Sequence, residues 1–168
     1  EHKNAFLNYS KHEFVEWNLF FGEPPKAVIN SVQNLVFHYS VFGTEKYNFS
    51  QKFTNYIRYS DGIKVAFFQD EYLNMPKRHH FIDNAGIHII YTLLDKKYNY
   101  IYTNYTNVKL VKQTLTGYVD RQEYEVYRKY KKPFCKRKID VSYRARKLPF
   151  YLGKGGLEKA AIARFVKD

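Results

Sequence analysis

Cysteine is nearly absent. Cys135 is the single one in 168 residues, which excludes an internal disulfide. Its neighbours are basic, but no partner base stands close in sequence and the residue reads as incidental. Zinc-type spacings are missing, and the six histidines form no HExxH pattern. His79 and His80 are adjacent, so on a helix they point about 100° apart and make a poor chelating pair. No apolar run approaches the ~20 residues that a membrane-spanning helix needs. Low-complexity stretches and fixed short repeats are also absent, apart from one basic block.

Acid is scarce in that block alone. Residues 1–125 carry 14 Lys and Arg against 13 Asp and Glu, whereas residues 126–168 carry 14 against 3. The net charge of +12 therefore belongs to the last quarter of the chain. Such a block attracts polyanions, whether nucleic acid, lipid headgroups or a diphosphate ligand, and it equally suits a solvated linker. What the chain has in plenty is aromatic residues, 17 Tyr and 14 Phe. Tyrosine buries a ring and keeps a polar tip, so it lines both cores and cleft walls. A bias toward Tyr, Lys and Asn explains much of this excess. Three N-x-S/T triplets, at Asn8, Asn48 and Asn104, exceed the chance expectation of about one by too little to signal glycosylation.

The rhythm of the sequence is alternation. His2 to Lys11 reads as a helix and "EFVEWNLFF" (Glu13–Phe21) as a strand ended by Gly22. Pro24-Pro25 opens a helix through Val32. "NLVFHYSVF" (Asn34–Phe42) suits a strand buried on both faces. A helix from about Phe49 to Tyr59 has Phe49, Phe53, Tyr56 and Ile57 at helical spacing. After an Asp61-Gly62 turn, "IKVAFFQDEY" (Ile63–Tyr72) is the clearest strand. A helix over Pro76–Asn84, closed by Gly86, leads to the strand Ile87–Thr92. A weak helix from Asp95 to about Tyr102 precedes a strand and Thr-Gly turn within Val108–Val119. Asp120 caps a helix to about Tyr130. The strand Ile139–Tyr143, a basic glycine-containing loop and a helix over Leu157–Val166 close the chain. This alternation predicts α/β architecture with right-handed crossovers and a mostly parallel sheet. Because the first element is a helix, a further strand is expected before Glu1.

In open α/β sheets ligands gather at the C-terminal strand ends. Those ends read His38-Tyr39-Ser40, Gln69-Asp70-Glu71-Tyr72, Tyr91-Thr92 and Thr116-Gly117-Tyr118. A carboxylate leaving an apolar strand at a cleft edge can serve as a general base, which makes Asp70 and Glu71 candidates. Equally, Asp70 suits a helix cap and Glu71 a solvated position. His38 can relay a proton or hold a sugar hydroxyl, or serve as a satisfied structural residue. At the C-terminal end, a strand, a loop with Gly153, Gly155 and Gly156, and a helix N-terminus together suit an anion. Arg144, Arg146, Lys147 and Lys154 add positive charge. "GKGG" is neither Walker A nor GxGxxG, and it also suits a plain helix start.

"HYSV", "FQDEY", "LTGYV" and above all "IDVSYRARKLPFYLGKGGLEKAAIA" resemble the N-terminal regions of bacterial GT-B glycosyltransferases of surface-polysaccharide biosynthesis. The resemblance covers nearly the whole chain, and the last motif is the specific one. It implies a Rossmann-like three-layer αβα fold. Residues 1–130 would form the acceptor-side lobe, 131–138 a basic interlobe linker, and 139–168 the first strand-loop-helix of a donor-binding lobe. The remaining C-terminal lobe would be a partner. The implied activity is transfer of a sugar from a nucleotide-diphosphate donor to a glycan or lipid-linked acceptor. No metal and no cofactor are expected, since cationic side chains and helix dipoles can stabilise a leaving diphosphate. The implied location is cytoplasmic, with peripheral contact to the inner face of a membrane among the expected partners.

On this view Asp70, Glu71 and His38 are the catalytic candidates. Tyr39, Gln69, Tyr72, Thr92, Thr116, Gly117 and Tyr118 are the acceptor contacts. Arg144, Arg146, Gly153, Lys154, Gly155 and Gly156 are the donor-phosphate contacts. Two other classes fit parts of the sequence. A nucleic-acid module would use the basic tail with its interleaved Tyr and Phe, although no RRM, KH or helix-turn-helix signature supports it. A receiver- or flavodoxin-like domain would phosphorylate Asp70, but the strand expected after Tyr130 argues against it.

Overall fold

The computed structural model describes residues 2–42, 49–115, 120–139, 142, 148–149, 151 and 153–165. The chain forms two compact units, 1–120 and 121–168.

The first unit is built on a sheet of β1 (Leu35–Phe37), β2 (Lys64–Phe67), β3 (Ile89–Thr92) and β4 (Leu110–Gln113). The strands lie side by side in chain order and every pairing is parallel. Around them run α1 (His2–Tyr9), α2 (Lys26–Asn30), α3 (Gln51–Tyr59), α4 (Met75–Ala85) and α5 (Tyr100–Thr103). This bears out an α/β fold with a parallel sheet, and it is compatible with Rossmann-like layering.

Strand alternation sorts the side chains. Phe37, Ala66 and Ile90 point to one face and are buried, together with Phe53 and Ile57 of α3, Phe81, Ile82 and Ala85 of α4, and Tyr102 of α5. The three crossovers thus pack on one face, as right-handed connections between strands in sequential order require. Phe81 centres this core, with ring centroids 5.2 Å from Phe37, 5.2 Å from Phe42 and 4.8 Å from Phe49. On the opposite face Phe67 stacks on Tyr91 at 4.9 Å, and Phe6 of α1 meets Phe67 edge-on at 5.4 Å.

Local chemistry corrects several expected boundaries. Glu13–Phe21 is not a strand: residues 13–18 have no regular structure and Leu19–Phe21 form a 3₁₀ turn. Asn18 caps that turn by accepting the Phe20 N–H, and the Trp17 indole donates to the Gly22 carbonyl at 2.9 Å. β1 is shorter than expected because a 3₁₀ turn begins at Tyr39. The weak helix after Asp95 is a 3₁₀ turn over Lys96–Tyr98 followed by α5.

At the N-terminal edge of the sheet, the His88 Nδ1 accepts the Lys64 backbone N–H at 3.1 Å. Burial, with Lys64 and then Lys109 adding repulsion, holds its pKa below the ordinary value of 6.5. The folded state therefore prefers the neutral ring. Stability from this group is fully present above the unfolded pKa and is lost as pH falls below it toward the folded pKa. Urea titrations at about pH 7.5 and about pH 5.5 are expected to show wild type losing more stability on acidification than His88→Asn, whose amide oxygen can accept the same bond without titrating. Equal losses would refute this assignment.

The second unit comprises α6 (Arg121–Tyr130), a 3₁₀ turn over Phe134–Lys136 and α7 (Gly153–Phe165). Of the expected strand Ile139–Tyr143, residues 139 and 142 are described, and neither lies in a strand.

Candidate active site

The C-terminal ends of β1, β2 and β3 place three of the expected polar clusters at one edge of the sheet. After β1, His38 is half-buried beside Tyr39, their ring centroids 4.0 Å apart. Its Nδ1 accepts the Ser40 backbone N–H at 3.3 Å and lies 2.8 Å from the Ser40 hydroxyl. A backbone N–H can only donate, so in the neutral ring the proton sits on Nε2.

After β2 the chain reverses sharply. Asp70 has φ of 55° and Asn74 has φ of 53°, both in the left-handed region. Asp and Asn are the non-glycine residues that best tolerate that region, at a cost of about 1 kcal/mol or more each. The Leu73 N–H closes the turn on the Asp70 carbonyl at 3.0 Å. Gln69 is half-buried and its carbonyl accepts from Arg78 Nη1 at 2.9 Å. Asp70 itself is exposed, as is Tyr72 at 67 %. Asp70 does not cap α4, whose N-cap is Asn74.

Glu71 and Thr92 lie together inside the fold. Glu71 is 8 % exposed and Thr92 is fully buried. The Thr92 hydroxyl donates a short bond to Glu71 Oε1. That same oxygen accepts the Leu93 N–H at 3.3 Å and the Tyr102 hydroxyl at 3.5 Å. A carboxylate so engaged ties β3 and α5 to the turn after β2. Glu71 is thus not the solvated carboxylate that the sequence also allowed, and Thr92 has no surface open to an acceptor.

Three contributors escaped the sequence reading. Arg78 is 3 % exposed, with its guanidinium 5.4 Å from the Phe68 ring centroid and its Nε buried without a partner. Burial lowers its pKa, while the fields of Tyr102, Glu71 and Asp70 oppose that shift. Tyr102 has no exposed surface, and burial, followed by the nearby Glu71, pushes its phenol well above the ordinary value of 10. Asn74 sets the turn. A signal for Arg78 was present: Arg78, Phe81, Ile82 and Ala85 share one helical face, so the arginine lies on the stripe that faces the core.

Thr116, Gly117, Tyr118, Arg144 and Arg146 lie outside the described residues. The glycines at 153, 155 and 156 are in α7, not in a loop before it, and Gly153 takes φ of 57° at the start of the helix. Lys154 is spaced one turn from Glu158 and pairs with it at 3.5 Å. Among the described residues no group of His, Cys, Asp and Glu could hold a metal ion. Comparison with protein-family models, curated proteins and solved structures finds no match to this chain.

Proposed function

We propose that the chain is the acceptor-side part of a GT-B-type glycosyltransferase, which moves a sugar from a nucleotide-diphosphate donor to a glycan or lipid-linked acceptor. The observation that carries this reading is the edge itself: parallel strands end together in His38, in Gln69 and Asp70, and in the Thr92–Leu93 segment, with Asp70 held exposed in a left-handed turn. Ligands of open α/β sheets bind at such an edge. The sequence resemblance supplies the class of reaction, which a fold alone does not.

In this reading the acceptor hydroxyl attacks the anomeric carbon and gives its proton to Asp70, while the bond from that carbon to the diphosphate oxygen breaks and the nucleoside diphosphate leaves with the electron pair. His38 and Tyr39 stand beside that hydroxyl at the end of β1, and Tyr72 offers a ring face to the sugar. Glu71, Thr92, Arg78 and Tyr102 keep the turn in place. Arg144, Arg146 and Lys154, with Gly153, Gly155 and Gly156, would meet the donor diphosphate. Neither cofactor nor metal takes part in the proposed step, and the remaining partner is the rest of a donor lobe.

Binding to an array of bacterial oligosaccharides tests this. The 168-residue chain is expected to bind a subset of glycans, with Tyr72→Ala and Asp70→Asn each weakening binding by about tenfold, the scale of a lost stacking or charge-assisted contact. Tyr59→Ala, at an exposed position before the N-terminal end of β2, is expected to change nothing. Absence of any bound glycan, or equal binding by all variants, would refute the reading.

A further inference from the structure

Residues 121–138 hold eight Lys and Arg against two Glu, and every one of these residues is exposed. At 100° per residue, α6 places Tyr124, Val126, Tyr127 and Tyr130 on one side. Arg121, Arg128 and Lys129 fall on the other, with Glu125 beside them in a 3.8 Å pair to Arg128. Glu123 is the single acid within the aromatic arc. The aromatic side is open to solvent, Tyr127 at 68 % and Tyr130 at 76 %. The turn after α6 departs from this segregation at one point: Phe134 is 77 % exposed, and Arg137 folds over its ring while donating to the Lys132 carbonyl at 3.2 Å.

Two polyanions suit such charge, and the arrangement favours one. Single-stranded nucleic acid needs cations and ring faces interleaved on one surface, because phosphates and bases alternate along the same strand. Here they are segregated to opposite arcs of a helix. Segregation is what a bilayer interface selects: rings settle at the headgroup level, and long cationic side chains reach sideways and upward to lipid phosphates. Among the described residues no helix is long and apolar enough to cross a membrane, so the contact would be with the surface. We propose that α6 and the turn after it lie on an anionic lipid bilayer, the tyrosine side in the headgroup layer and the Lys and Arg on lipid phosphates.

Co-sedimentation of the full chain with phosphatidylcholine vesicles, with and without phosphatidylglycerol, tests this directly. Binding is expected only with phosphatidylglycerol and is expected to weaken with salt. The double variant Tyr127→Ser/Tyr130→Ser is expected to bind about tenfold more weakly with its salt dependence retained. Lys131→Glu/Lys132→Glu is expected to lose at least about tenfold and to flatten the salt dependence. All four side chains are exposed, so circular dichroism is expected to show an unchanged fold. No binding to phosphatidylglycerol vesicles, or full binding by the tyrosine variant, would overturn the proposal. So would a single-stranded oligonucleotide that binds more tightly than the vesicles, which would assign the surface to nucleic acid. Because neutral glycans are read on the array and lipids on vesicles, either proposal can fail without the other.

Discussion

Glu71→Ala is expected to destabilise the protein by about 3–5 kcal/mol, the usual cost of removing one partner from a buried charged network. The loss has several sources. The Thr92 hydroxyl, the Leu93 N–H and the Tyr102 hydroxyl all donate to one Glu71 oxygen, and all would be left without it. Arg78 would lose a neighbouring negative charge while remaining buried. Glu71→Gln keeps the size of the side chain and one carbonyl acceptor, and is expected to cost only about 1–2 kcal/mol. Urea unfolding checks both numbers. Near-wild-type stability in Glu71→Ala would show that the network is dispensable and would return Glu71 to the catalytic candidates.

Gly62→Ala is expected to cost about 3–4 kcal/mol, at the upper end for a single methyl group. Gly62 has φ of 87°, and a Cβ built there would lie 1.6 Å from the Gln33 carbonyl oxygen, which is backbone and cannot swing aside. This close approach sets the sheet register. Asn34 Oδ1 accepts the Ile63 N–H at 2.9 Å, the Leu35 N–H reaches the Ile63 carbonyl at 2.9 Å, and Leu35 then pairs with Lys64. Gly22 separates backbone strain from crowding. Its φ is 98° with nothing within 4 Å of a built Cβ, so Gly22→Ala is expected to cost only about 1–2 kcal/mol. Thermal or urea unfolding of both variants checks the difference, and equal costs would mean that the crowding at Gln33 is relieved by movement of the β1–β2 connection.

The sheet was legible because its strands are short apolar runs bounded by turn formers, as in "KVAF" between Asp61-Gly62 and the polar tip. Their ends were less so, because side chains and not apolar content stop them. His38 takes the Ser40 N–H and starts a 3₁₀ turn, and Asp70 leaves the strand through a left-handed conformation. "EFVEWNLFF" misled because its aromatic content imitates a strand, while Asn18 and Trp17 bind local backbone groups that compete with a ladder. The glycines near 155 misled in the opposite direction, since α7 includes them despite their low helix propensity. At the site, Asp70 was readable as a strand-tip acid. The burial of Glu71 was not, because it depends on Tyr102 and Thr92, residues 31 and 21 positions away.

The central claim is that the strand tips form one ligand-binding edge with Asp70 at its centre. Titrating ¹⁵N-labelled protein with array-selected oligosaccharides, and separately with nucleotide sugars, while following backbone amides tests it most directly. The account predicts that an oligosaccharide shifts Ser40, Asp70, Tyr72 and Leu93 and leaves Leu35, Lys64 and Leu110 at the opposite edge unmoved. Shifts centred on that opposite edge, or none at the tips with any glycan, would contradict it.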